Sequence, residues 1–173
     1  MRLIRLAGWL VLLAGSMALD SADSVQARQK TLKDRLVGAW DTPSTVITRA
    51  DGTKFEPFGA HPVGMIIFAA DGHFAMVVTK SDLPKLASNN RMIRTADESN
   101  ALAEGVRALY GTYSVDEAKK TLNYHVVGSS FPNENGKDET RTITMLTANE
   151  VRWTNAGGAA GGLQVLATWR RVK

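Results

Sequence analysis

Two side chains in the second half of the chain have the type and the neighbours for chemistry: His125 and Arg141. The segment around His125 alternates strictly. Leu122, Tyr124, Val126 and Gly128 fall on one face, and Asn123, His125, Val127 and Ser129 on the other. If the His125 face turns inward, an imidazole inside an apolar cavity could hold a ligand or act as a general acid/base. The plainer alternative is a hydrogen-bonded core histidine. Arg141 shares a face with Ile143 and Met145, opposite Thr140, Thr142 and Thr144. A guanidinium on an apolar face needs an acceptor, because an unpaired buried charge is very costly. It could grip a ligand carboxylate or enolate with two prongs, or reach water from a barrel rim. If the chain is an enzyme, His125 as base and Arg141 as oxyanion holder are the expected catalytic pair.

Other chemistries find no support. The chain has no cysteine, which excludes disulfides, thiolate ligands and cysteine nucleophiles. His61, His73 and His125 are scattered, so no metal is expected. No Ser-His-Asp order or paired-carboxylate spacing points to a hydrolase. The glycine-rich run 157–162 precedes a strand pattern rather than a helix, so it does not read as a phosphate cradle. No cofactor is expected. Basic and acidic residues interleave, and the net charge of +4 is not gathered into a nucleic-acid patch.

The elements that must position these residues are strands. Asp51-Gly52, Asp71-Gly72 and Asn135-Gly136 are hairpin signals, and 116–120 and 147–149 give two further turns. The expected strands are 37–49, 53–58, 63–70, 73–79, 110–116, 121–130, 139–147, 150–155 and 163–172. Eight or nine short antiparallel strands mean a sandwich or a closed barrel. Between the fourth and fifth lies a helical insertion, 80–109, with one helix opening near Lys85 and another over 97–109. As the longest break in the strand pattern, it is a candidate lid. If the barrel is closed, alternation offers Phe68, Phe74, Met76, Tyr113, His125, Arg141, Met145 and Trp153 as pocket lining. The same apolar set would equally serve as plain core in a filled barrel.

The first residues read as an export signal. Arg2 and Arg5 precede the apolar run 6–13, and small-x-Ala sites end at Ala18 and Ala27. The run is too short for a stable membrane span. A cut after Ala18 lowers the net charge by two; a cut after Ala27 also removes Asp20 and Asp23 and restores it. The reading is therefore a signal and linker over 1–27 and one domain over 32–173, periplasmic or secreted.

Several blocks resemble one family. Leu36-Val37-Gly38-Ala39-Trp40 has the Gly-x-Trp entry of lipocalins and other calycin barrels. The block 58–72, from Phe58-Gly59 through Pro62 and Gly64 to Asp71-Gly72, is similar to one found in the bacterial and fungal lipocalin-like domain family. So are Tyr110-Gly111-Thr112-Tyr113, with one residue fewer than usual, and the run from His125 through Ser129, Pro132 and Gly136 to Arg141. The ending Leu166-Ala167-Thr168-Trp169-Arg170-Arg171 matches as well. The resemblance implies an all-β, antiparallel up-and-down barrel of about eight or nine strands around a cavity for a small hydrophobic ligand. It also implies closure at Gly38 and Trp40, with Arg170 or Arg171 stacked on the indole. Some members are encoded near polyketide-type pathways, which for the enzyme alternative implies an isomerase or cyclase acting on a polyketide-like or apolar molecule.

Overall fold

In the computed structural model, which describes residues 30–156 and 163–173, the strands close on themselves. The runs are β1 Gly38–Thr48, β2 Lys54–Phe55, β3 Val63–Phe68, β4 His73–Thr79, β5 Val106–Asp116, β6 Thr121–Ser129, β7 Asp138–Leu146, β8 Glu150–Ala156 and β9 Gln164–Arg171. Every pairing is antiparallel. Strand β1 pairs with both β3 and β9, so eight strands form an up-and-down barrel, with the two-residue β2 added beside β1. The expected export signal (1–27) and the glycine-rich run 157–162 lie outside the described residues.

The turn signals form as their chemistry requires. Gly52, Gly72 and Gly136 adopt positive φ in the three hairpin turns. The insertion differs from expectation. Only α2, Ala96–Gly105, is helical, started by a Thr95/Glu98 capping box. No helix forms at Lys85. That stretch turns instead, with Asn89 at positive φ, and Ala87 donates to the Glu98 carboxylate at 2.8 Å. Nor does α2 run to Leu109, because residues 106–109 pair with β4 and extend β5. Two short elements carry weak patterns: α1, Leu32–Leu36, and a 3-10 turn, Pro132–Glu134.

Three register shifts decide which side chains face inward. In β1 the shift falls between Asp41 and Ser44, at Pro43, a residue tolerated in strands chiefly at such bulges. It turns Thr45 and Ile47 to the interior. In β5–β6 the shift leaves Val127 unpaired. There Gly111 is obligatory, since a Cβ would lie 1.9 Å from the His125 carbonyl oxygen. In β7–β8, Thr144 is the extra residue, which turns Met145 outward and Leu146 inward.

One end of the barrel is sealed. Trp40 is fully buried and its indole Nε1 donates to the Leu36 carbonyl at 2.7 Å. The Arg171 guanidinium lies 4.0 Å over that ring and donates to the carbonyls of Val37, Ala148 and Arg35. A Cβ at position 38 would meet Arg171 Nη1 at 2.8 Å, so Gly38 makes room for the seal. Arg170, the other candidate, points outward toward Glu150. Replacing Trp40 by Ala removes a filled ring, the Leu36 bond and the cation–π contact. The expected loss is about 3–5 kcal/mol in denaturant unfolding, and a loss below about 1 kcal/mol would remove the seal from this account of the fold.

Candidate functional site

The lower half of the barrel is packed with aromatic rings. Phe68 meets Tyr113 edge-on at 4.9 Å, and Phe74 stacks on Tyr124 at 4.1 Å. The Tyr113 hydroxyl donates to the Ala69 carbonyl at 2.9 Å. Phe68, Phe74 and Tyr113 therefore fill the core and line none of the cavities described below.

Above this layer the barrel contains buried charge. Strand alternation places Glu139 and Arg141 on the inner face of β7, and Arg141 Nη2 donates to Glu139 Oε2 at 2.6 Å. The same guanidinium sits 3.8 Å from the Tyr124 ring. Arg141 is only 5% exposed, which places it inside the barrel and removes the rim alternative. Across the interior, Arg107 Nη2 donates to Glu134 Oε1 at 2.6 Å. Glu134 is 2% exposed and also accepts from Ser129 Oγ at 2.8 Å. The 3-10 turn brings Glu134 to this position.

Burial pushes the Glu139 carboxyl up, and the Arg141 guanidinium opposes this by charge and hydrogen bond. The charge of Arg107 and a hydrogen bond with Glu134 add to it, and together they outweigh burial, so the group ends below its ordinary range. Burial pushes the Tyr124 hydroxyl well up, beyond the partial offset from Arg141.

Two adjoining spaces lie above the aromatic layer. The outer one, about 370 Å³, lies at the mouth, where β1 and β6 end and β5 and β9 begin. Its walls include Ile47, Pro57, Phe58, Val106, Phe131 and Val165. Ala103 and Glu104 of α2 form part of its rim, which is where the insertion touches the site. The inner space is about 50 Å³ and is lined by Met76, Val78, Arg141, Trp153, Ala167 and Trp169, among others. Thr45, Phe58, Arg107 and Val165 border both spaces. Four buried polar atoms make no hydrogen bond among the described residues: Arg107 Nε, Arg141 Nη1, Trp169 Nε1 and the Tyr124 hydroxyl. Three of them belong to walls of the inner chamber.

The sequence-predicted residues thus divide. Met76, Arg141 and Trp153 meet at the inner chamber. His125 and Met145 do not. The apolar set Leu122, Tyr124 and Val126 takes the inside of β6, which puts His125 outside, its side chain 52% exposed and Nδ1 2.8 Å from Asp138. Met145 is turned out by the β7–β8 bulge and is 38% exposed. An enzyme with His125 as base on a substrate in the barrel therefore loses its base. Arg141's charge is already matched by Glu139 rather than reserved for a ligand anion. Arg107, Glu134, Glu139, Phe58 and Trp169 were missed. Glu139 was legible, since it lies two residues before Arg141 on the same face. Arg107 was hidden by the over-long helix. Among the described residues, no cluster of His, Asp or Glu is arranged to hold a metal.

The family model for the lipocalin-like domain matches residues 37–172, and the chain belongs to that family. No curated protein matches it. Solved structures similar to it include a redesigned β-barrel, 11% identical, covering 83% of this chain and 100% of that one at a TM-score of 0.44. A second redesigned β-barrel, bound to DFHBI, is 16% identical over 82% of this chain and 100% of its own, with a TM-score of 0.40. The tryptamine complex of the amine binding protein of Rhodnius prolixus is 11% identical over 79% of this chain and 63% of its own, also at 0.40.

The depressed Glu139 carboxyl contributes stability above its unfolded-state value, and that contribution is lost as pH falls through the folded value. Glu139→Gln should therefore show a shallower loss of stability than the parent between about pH 7 and about pH 3 in denaturant titrations. At neutral pH it should be less stable by about 3–5 kcal/mol, because Arg141 is left buried without its partner. An unchanged acid limb would show that Glu139 carries none of it.

Proposed function

We propose that this protein is an exported binder of a small, largely hydrophobic molecule, taken up through the α2-side mouth. The observation that carries the reading is the mouth cavity of about 370 Å³, walled largely by apolar side chains and sharing Thr45, Phe58, Arg107 and Val165 with a polar-tipped inner chamber. That volume and mixture are those of a small-molecule pocket. The filled lower half limits the ligand to the upper part of the barrel. Export to the periplasm or beyond is supported by the Arg2/Arg5, apolar-run and small-x-Ala pattern.

Native mass spectrometry of protein purified from its own host is the direct test. The expected result is a bound species of small-molecule mass on a chain lacking its first 18 or 27 residues. Thr45→Trp, placed where the two spaces meet, should leave the barrel folded and lower uptake of the apolar dye ANS at least about tenfold, about 1.4 kcal/mol. Unchanged dye uptake in a folded Thr45→Trp variant would show that the mouth is not the binding site.

A further inference from the structure

The inner chamber carries information about the ligand's polar end. Resting on the reading that the barrel takes up a small molecule, the geometry points to a ligand with a neutral carbonyl oxygen as its leading group, such as a ketone, quinone or amide. Arg107 Nε, Arg141 Nη1 and Trp169 Nε1 are all N–H donors. All are buried without a protein partner, and all belong to walls of the same chamber of about 50 Å³. That space admits a few non-hydrogen atoms but not a whole ligand. What complements it is therefore an acceptor at the tip of a larger body lodged in the mouth.

Charge decides which acceptor. Each guanidinium already has a carboxyl partner at 2.6 Å, Arg107 with Glu134 and Arg141 with Glu139. Neither guanidinium is therefore without a carboxyl partner, and a ligand anion would have to compete with Glu134 and Glu139 for them. A ligand carboxylate here would be a further desolvated charge set beside two carboxyl groups, which is costly. A carbonyl oxygen has two lone pairs, accepts from N–H donors and brings no charge. Trp169 supplies a fixed donor, since its ring is stacked on Trp153 at 5.5 Å.

Three probes of the same shape separate the possibilities by calorimetric titration: acetophenone, α-methylstyrene and benzoate. Acetophenone should bind at least about tenfold more tightly than α-methylstyrene, in which a methylene replaces the oxygen, and more tightly than benzoate. Trp169→Phe deletes the indole N–H while keeping an aromatic ring. It should weaken acetophenone several-fold and leave α-methylstyrene unchanged; a purely structural role would weaken both equally. Equal binding of acetophenone and α-methylstyrene by the unaltered protein would overturn the carbonyl inference and leave the pocket standing. Tighter binding of benzoate would overturn its neutrality. Failure of all three to bind would count against the binding reading itself, and this inference would fall with it.

Discussion

An eight-stranded barrel is just wide enough for one filling of side chains, and here that filling includes two guanidinium and two carboxyl groups. Burying them requires mutual compensation. The two Arg–Glu pairs at 2.6 Å supply it. Much of the upper barrel follows from this requirement. The 3-10 turn after β6 exists where Glu134 must reach Arg107, and the β5–β6 register shift turns Ser129 inward to donate to Glu134. The guanidinium of Arg141 covers the Tyr124 ring, which joins the charged layer to the aromatic layer beneath it.

The two ends of the barrel are built differently, and this gives the site its direction. At the floor, Trp40, Arg171 and α1 exchange hydrogen bonds until the end is closed. At the mouth, no comparable plug is present among the described residues. Phe58 and Val165 border both the mouth and the inner chamber, and α2 lends Ala103 and Glu104 to the rim. The outcome lies between the two sequence alternatives of an open ligand barrel and a filled one: the lower half is filled, and the upper half keeps a small inner chamber and a wider mouth.

The fold was largely legible in the sequence because hairpin glycines and strand alternation are local signals. All nine strands formed near their expected places. The site was legible only in part, for three physical reasons. First, alternation identifies two faces without saying which is inside. On β3 both faces are apolar, with Ile66 and Phe68 buried and Met65 and Ile67 exposed. On β6 the contrast between Tyr124 and His125 favoured the face without the histidine. Second, bulges reset the alternation, and nothing in Thr142-Ile143-Thr144-Met145 announces that Thr144 is the extra residue. Third, Arg107 and Glu134 lie in segments whose local patterns spoke of helix and turn. Only the closed barrel brings them together. The choice of Arg171 over Arg170 at the floor likewise depends on register, which the paired arginines alone do not reveal.

The central claim is that the chamber beneath the mouth receives the ligand's polar end while the floor remains closed. The tryptophan indole N–H signals report on both places at once, since Trp169 lines the chamber and Trp40 is bonded to Leu36 at the floor. In a titration of isotope-labelled protein with acetophenone, the Trp169 indole signal should move progressively downfield as it gains an acceptor. The Trp40 signal should stay in place. A Trp169 signal that does not move while ligand binds, or equal movement of both indoles, would contradict the account.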